Sequence, residues 1–333
     1  MADSARDDVL SFLQRAGLGA KDIVLQTLSG GVSADIWHVT SGDRDFVVKR
    51  AVPQLRVAQE WKAPLSRNRS EVDWLNEARH IVPEAVPQVL ACDDKLNMFA
   101  MSYYPPDLYP LWKRELREGR ADPIVAHAVG SIAARIHNAT AFSDTIARRF
   151  ATDDAFLSLR VDPYLYPSAS RHADLAEPLR AIGRDILATK RALVHGDLSP
   201  KNILVGPQSP ILLDAECAWY GEPAFDIAFC LNHLFLKCVW VPEAARRFIA
   251  CADTLTAAYL DAITFEPAAD IAHRIARILP GLMLARIDGK SPVEYITDET
   301  DKARVRIVSR NLLRNEARTL TTIKTEFASE FAA

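Results

Sequence analysis

His195-Gly196-Asp197-Leu198-Ser199-Pro200-Lys201-Asn202-Ile203-Leu204-Val205-Gly206-Pro207-Gln208-Ser209-Pro210-Ile211-Leu212-Leu213-Asp214 is the stretch on which the reading of this 333-residue chain turns. Ile203 to Val205 and Ile211 to Leu213 are short apolar β runs, and Gly206 to Pro210 is turn chemistry, so the spacing predicts an antiparallel hairpin. Asp197 precedes Asn202 by five positions, and Asp214 closes the second run. The hairpin therefore brings Asp197, Asn202 and Asp214 to one end. The plainer alternative is that His195 and Asp197 only make a turn and Asp214 only ends a strand.

Two carboxylates and an amide at one point suit phosphoryl transfer. That reaction asks a protein to orient an attacking hydroxyl, accept its proton and hold cations against phosphate charge. Asp197 supplies a base for the hydroxyl, while Asn202 and Asp214 supply hard oxygen donors for Mg2+. This is the layout of a kinase catalytic loop followed by its magnesium aspartate.

Upstream, Val9, Phe12, Leu13 and Ala16 share one helical face, which predicts an opening helix ending near Gly17 or Gly19. Ile23 to Leu28 and Ile36 to Val39 are β runs on either side of a turn containing Gly30, Gly31 and Ser33. Strand, glycine turn, strand is how kinases lay backbone amides over ATP phosphates; it is also how an ordinary hairpin is made. Asp45 to Arg50 is a third strand with Lys49 near its end, similar to the kinase strand lysine that contacts phosphates and pairs with a helix glutamate. A merely solvated strand end is the other reading. Residues 51–69, which include Pro53, Arg56, Trp61, Pro64, Arg67 and Arg69, lack periodicity and read as an extended insertion.

From Ser70 the pattern Val72, Leu75, Ala78 and Ile81 is helical, with Glu71 preferred over Glu77 as the partner of Lys49. A glutamate favoured there only by the helix dipole is the alternative. Residues 85–91 and 98–104 are two further strands, after which Ser102 to Tyr104 would form a hinge whose backbone meets adenine, Ser102 and Tyr103 being the contacts. Those tyrosines would otherwise only fill an interface. The boundaries expected are a β-rich ATP-binding lobe over 1–104, a hinge at about 102–106, and a helical catalytic and acceptor-binding lobe over 107–333.

In the second lobe, Pro123 opens a long helix of core periodicity ending at His137, whose expected part is capping or packing. Residues 141–190 are irregular before a helix from Leu175 to Leu187. Beyond the hairpin, Glu216 puts another carboxylate near the metal site where protein kinases have Asp-Phe-Gly. Trp219 and Tyr220 either wall an acceptor pocket or lie beneath it; Glu222 joins them as an acceptor candidate. Asp226 begins an apolar helix that it either caps or from which it braces the loop around His195. Further helices are expected over 227–236, 243–260, 270–286 and 301–322. Arg286, Asp288 and Lys290 near a Gly-Lys-Ser-Pro turn are either substrate contacts or a salt-bridged helix end.

Composition narrows the class of partner. A net charge of −3 supplies no basic field for nucleic acid or an anionic membrane surface. No apolar run reaches membrane-spanning length, and the polar, acidic Met1 to Asp8 is unlike a signal peptide. Five cysteines, Cys92, Cys217, Cys230, Cys238 and Cys251, have no paired metal spacing and suit the reduced thiols of a cytoplasmic protein. The expected partner is a small-molecule hydroxyl acceptor, with a homodimer left open.

With these motifs in place, the chain resembles the aminoglycoside phosphotransferase and choline kinase superfamily over residues 22 to about 290. The likeness rests on His195-Gly196-Asp197 and Asn202, where protein kinases have His-Arg-Asp. Within the superfamily it is most similar to methylthioribose kinases. Asp214-x-Glu216 replaces Asp-Phe-Gly, Trp219-Tyr220-Gly221 precedes Phe225-Asp226, and a loop with Pro53, Arg56, Val57 and Trp61 follows the lysine strand.

The resemblance implies an α+β, bilobal protein-kinase-like fold, with a small antiparallel β lobe and a larger, mostly α-helical one. It also implies ATP and Mg2+ as cofactors, Asp197 as catalytic base, and Asn202, Asp214 and Glu216 at the metal. Lys49 would lie on the ATP phosphates, with Gly30 and Gly31 in the phosphate loop. One departure concerns the acceptor: methylthioribose kinases pair two arginines in a late helix, and this chain has only Arg286 there. The expected reaction is phosphorylation of a hydroxyl on a small molecule, a sugar such as methylthioribose or a related metabolite. An aminoglycoside or amino-alcohol kinase is the alternative, and a nucleotide-binding pseudokinase is the alternative of another class. A protein kinase is disfavoured, because no Asp-Phe-Gly or Ala-Pro-Glu segment follows the hairpin.

Overall fold

Alternation along the third β run decides how the N-terminal sheet is clothed. In strand β3 (Arg44–Ala51), Phe46 and Val48 point to one face and Val47 and Lys49 to the other. Phe46 and Val48 meet Trp37, Val39, Met98 and Ala100 and are covered by Val9, Phe12 and Leu13 of helix α1 (Ala2–Arg15). Val47 joins Phe99 and Met101 on the opposite face, against Val72 and Leu75 of helix α2 (Arg67–Ile81). Lys49 is thereby aimed at α2 by parity alone.

The structure, a computed structural model, describes residues 2–19, 22–28, 33–53, 64–316 and 319–332. Strands β1 (Ile23–Thr27), β2 (Ala34–Ser41), β3, β4 (Val89–Asp93) and β5 (Met98–Ser102) form one antiparallel sheet in the order β1-β2-β3-β5-β4. Helix α2 begins at Arg67, earlier than the expected Ser70, and so takes Arg67 out of the anticipated insertion. Gly30, Gly31, Arg56, Val57 and Trp61 lie outside the described residues.

The remainder is mostly helical. It contains α3 (Trp112–Arg117), α4 (Pro123–Thr140), α5 (Asp144–Arg149), α6 (Asp153–Phe156), α7 (Leu165–Arg171) and α8 (Ala176–Ala188), then α9 (Pro223–Trp240), α10 (Ala245–Ala262), α11 (Ala268–Asp288), α12 (Glu299–Arg314) and α13 (Leu320–Phe331). Asp122 caps α4 by accepting from the Ile124 amide at 2.8 Å, ahead of Pro123 at a helix start where its missing N–H costs nothing. Between α8 and α9, β6 (Ala192–Val194) pairs with β9 (Trp219–Gly221), and β7 (Ile203–Leu204) pairs with β8 (Ile211–Leu212). The expected hairpin is thus β7-β8, set between β6 and β9. Helix α9 is buried from Pro223 to Val239 and forms the axis of the helical part. No helix among the described residues is long and apolar enough to cross a membrane.

Two expectations change in extent. The single late helix over 301–322 divides into α12 and α13, and the irregular stretch ahead of the expected helix at Leu175 to Leu187, which is α8, carries α5 to α7 with one π-helical turn at Leu157–Val161. A π turn is a local insertion in a helix and has no sequence period of its own.

Candidate active site

The backbone of the loop at His195 to Asp197 is held from below by α9. Asp226 Oδ2 accepts the His195 amide at 2.7 Å and Oδ1 accepts the Gly196 amide at 2.9 Å. Asp226 is therefore a brace for the loop, and the cap of α9 is Glu222, which accepts from the Ala224 amide at 3.0 Å. His195 ties the loop to the hairpin: its Nδ1 accepts from the Asp197 amide at 3.2 Å, leaving Nε2 to donate to the Leu213 carbonyl at 3.1 Å. Gly196 sits at φ 75°, and a Cβ there would lie 2.3 Å from the Cys217 carbonyl oxygen, so both conformation and space require glycine.

Asp197 projects from this loop, almost fully buried. Its Oδ2 lies 2.9 Å from Arg160 Nη2 and 2.8 Å from Lys201 Nζ. Burial alone would raise its pKa, but Arg160 and Lys201 outweigh that and hold the carboxyl below the usual carboxylate range. Arg160 comes from the π turn and also donates through Nε to the Gly196 carbonyl at 2.5 Å. It was not legible as a site residue in the sequence, because the turn that aims it follows no regular period; Lys201, inside the motif itself, could have been singled out.

Lys49, aimed at α2, is 2.6 Å from Glu71 Oε2 and also pairs with Asp214. Burial would strip the ammonium of its proton, yet Asp214 and Glu71 together raise its pKa above the ordinary lysine value. The alternative partner, Glu77, is turned to Arg149 at 3.0 Å. Asp214 stands at φ 64°, a left-handed backbone that aspartate tolerates better than most residues. Burial pushes its carboxyl up, but Lys49 and Lys201 pull it well below the usual range.

Asn202 donates Nδ2 to the Asp197 carbonyl at 3.0 Å, which leaves its Oδ1 as the acceptor end. Glu216 Oε2 accepts from Arg67 Nε at 3.0 Å, while burial and then Asp214 push the Glu216 carboxyl up. Arg67 also donates to the Ser33 carbonyl at 2.6 Å, joining the end of the glycine turn to Glu216. Among the described residues no three His, Cys, Asp or Glu side chains are grouped to enclose a metal ion. Asn202 Oδ1 and the Asp214 carboxylate are hard oxygen donors of the kind Mg2+ takes, one or two from protein with water and phosphate oxygens completing its shell.

Ser102 ends β5, where its Oγ accepts from the Gln88 amide at 3.2 Å, and the Tyr103 ring stacks on His38 with centroids 3.9 Å apart. The acceptor candidates fare differently. Trp219 is fully buried against the Phe156 ring, and Tyr220 donates its hydroxyl to the Arg191 carbonyl at 2.9 Å. Glu222, besides capping α9, accepts from Arg274 Nε at 2.8 Å. Trp219 and Tyr220 thus follow the buried alternative within β9, which pairs with β6, and Glu222 is taken up by the α9 cap and Arg274, so the structure gives all three structural partners. Arg286 is buried, with Nη1 3.0 Å from Ser291 Oγ and 3.3 Å from the Tyr164 hydroxyl. Asp288 serves the helix end, bound to Arg306 and His172 at 2.9 Å each.

Comparison with known proteins places this geometry in a lineage. The family model described as "Phosphotransferase enzyme family" matches residues 24–282. Methylthioribose kinase 1 of Oryza sativa subsp. japonica is 24% identical over 255 residues, 67% of this chain and 58% of that protein. The chain thus spans just over half the length of the curated relatives it matches. Among solved structures, a choline/ethanolamine kinase family protein from Mesorhizobium loti superposes with a TM-score of 0.55 at 14% identity, covering 100% of this chain and 99% of that one. An amicoumacin kinase solved with AMP-PNP, Ca2+ and Ami superposes at 0.53 and 15% identity, covering 95% and 96%. Both show a shared fold, the protein-kinase-like architecture of an antiparallel sheet and a mostly helical remainder.

Proposed function

The chain belongs to the phosphotransferase enzyme family, and from that premise we propose that it is an ATP- and Mg2+-dependent kinase of small molecules. Its acceptor is a hydroxyl on a sugar such as methylthioribose or a related metabolite. The observation that carries the reading is Asp197: a buried carboxylate kept ionised by Arg160 and Lys201, on a loop clamped by Asp226. In the reaction the acceptor oxygen bonds to the γ-phosphorus, the bond from that phosphorus to the β,γ-bridging oxygen breaks, and ADP leaves. Asp197 orients the hydroxyl and takes its proton.

Lys49, fixed between Glu71 and Asp214, is the residue for the ATP phosphates. Asn202 and Asp214 would hold Mg2+, with Glu216 beside them, and the ion when bound neutralises charge on the phosphate oxygens. Ser33 joins Gly30 and Gly31 as the phosphate-loop candidate, and Ser102 and Tyr103 remain the backbone candidates for adenine, at a hinge between residues 1–104 and 107–333. A module that binds nucleotide without turning it over would not need Asp197 held ionised.

A coupled ADP-release screen across sugars including methylthioribose, amino alcohols and aminoglycosides tests the proposal. ADP release that depends on one acceptor class supports it. ATP turnover that never becomes acceptor-dependent, or no turnover at all, contradicts it and favours the nucleotide-binding module.

A further inference from the structure

Helix α9 carries a polar stripe that the phosphate chemistry does not use. Asp226, Phe229, His233 and Lys237 follow one another at helical spacing and share a face. At the near end Asp226 holds the catalytic loop. Next, the Phe229 ring is covered by the Arg160 guanidinium at 5.7 Å, the same Arg160 that grips Asp197, and it meets the His233 ring at 5.3 Å and the Tyr164 ring at 5.8 Å. From α11, Arg286 reaches the Tyr164 hydroxyl. His233, Lys237 and Arg286 are thereby gathered one ring beyond Asp197.

All three are buried, 5%, 1% and 7% exposed respectively, and each has polar capacity left over. His233 Nδ1 lies 3.5 Å from the Tyr295 hydroxyl, while its Nε2 has no partner. Arg286 Nε has no partner either. Lys237 Nζ rests on the rings of Tyr295 and Trp240, at 4.3 and 4.6 Å, without a carboxylate in ion-pair reach among the described residues. The other charges facing the group are Lys113, Lys201 and Glu294: Glu294 draws the Lys237 pKa upward and also faces Arg286 but is ion-paired to Lys113, and Lys201 is paired to Asp197. Burial, with Lys113 and Arg286, lowers the Lys237 pKa to about 7 and leaves His233 neutral well below its ordinary value.

With Lys113, Lys237 and Arg286 around the single acid Glu294, buried cations exceed the counter-charge, which is unfavourable, and buried donors left unpaired add to that cost. A ligand that brings a negative charge removes both penalties at once. A cationic acceptor would meet like charge there, and a neutral sugar would leave the donors unmatched.

We propose that the acceptor carries an anionic group, a carboxylate or a phosphate, and that Arg286, His233 and Lys237 bind it so that a neighbouring hydroxyl lies at Asp197. The proposal rests on the phosphotransferase reading and favours, among related metabolites, an anionic acceptor over neutral methylthioribose. The transfer itself is unchanged, with the proton passing to Asp197 and ADP leaving.

The test uses the full chain with Mg2+ and ATP, and matched probes: sugar acids such as ribonate, sugar phosphates such as ribose 5-phosphate, methylthioribose, and choline. ADP release gives kcat and KM, and calorimetry gives binding of the same probes. One anionic arm should exceed the neutral and cationic probes in kcat/KM by ~30-fold or more. Which arm does so identifies carboxylate or phosphate. Lys237→Met and His233→Ala should each raise the KM for that anion by ~10-fold or more, with an unfolding midpoint measured on each variant to separate this from a folding defect. The KM for the anion should also rise as pH climbs past neutrality and Lys237 loses its proton. A neutral or cationic probe preferred over both anionic arms, or an anion KM unmoved by Lys237→Met, overturns the proposal. Anion binding that weakens in Lys237→Met without any phosphorylation keeps the anion site and sinks the kinase reading instead.

Discussion

The proposed phosphate end and the proposed acceptor end of the site are built on opposite electrostatic plans. Around Lys49, Glu71, Asp197 and Asp214 every charge faces a partner: Lys49 lies between Glu71 and Asp214, and Asp197 between Arg160 and Lys201. Around His233, Lys237 and Arg286 the charges and donors face one another and aromatic rings. The paired end holds its geometry without a ligand, as preorganised catalysis demands. The unpaired end stores a cost that a bound anion would relieve, which is a way of building selectivity.

That contrast predicts substitutions of opposite sign. Replacing Arg67 by Met removes the cation from buried Glu216, and breaking such a pair should cost ~3–5 kcal/mol in denaturant unfolding. An unchanged midpoint would show that the pair is not a support. Lys237→Met should instead stabilise the protein, by about 1–4 kcal/mol. Because the folded pKa of Lys237 is lowered to about 7, while an unfolded lysine titrates near ~10.4, the unfolded chain binds the proton first. The gain is therefore complete below about pH 7 and fades towards ~10.4. Destabilisation by Lys237→Met would erase the distinction between the two ends.

The smallest effect concerns pH. Arg160 lowers the Asp197 carboxyl against the pull of burial, so Asp197 stays ionised, and its contribution to stability stays in place, at all pH above the ordinary carboxylate range. Both are lost only as pH falls through the lowered value. Arg160→Gln should move the acid limb of kcat upward by about one pH unit. A limb that stays put would mean that Arg160 positions the loop without tuning the base.

Local signals carried most of the phosphate end. The β7-β8 hairpin, the parity that aims Lys49, and the choice of Glu71 each follow from spacing within one element or two neighbours. What stayed hidden depended on distant packing. Arg160 lies on a π turn, Arg67 on a helix start masked by a proline-containing stretch, and Trp219 and Tyr220 are buried in β9, which pairs with β6 across 24 intervening residues. His233 and Lys237 sat unremarked in an apolar run. The signal was present: polar residues seven and eleven positions beyond Asp226, on one face of a helix otherwise made for burial.

Asp197 is the residue on which the proposed phosphoryl transfer depends most directly. Turnover of Asp197→Asn, measured by ADP release beside ATP affinity, should fall by a factor on the order of 10² to 10⁴ while ATP binds as in the parent protein. Undiminished turnover in that variant would contradict the assignment of the base and the phosphoryl-transfer mechanism built on it.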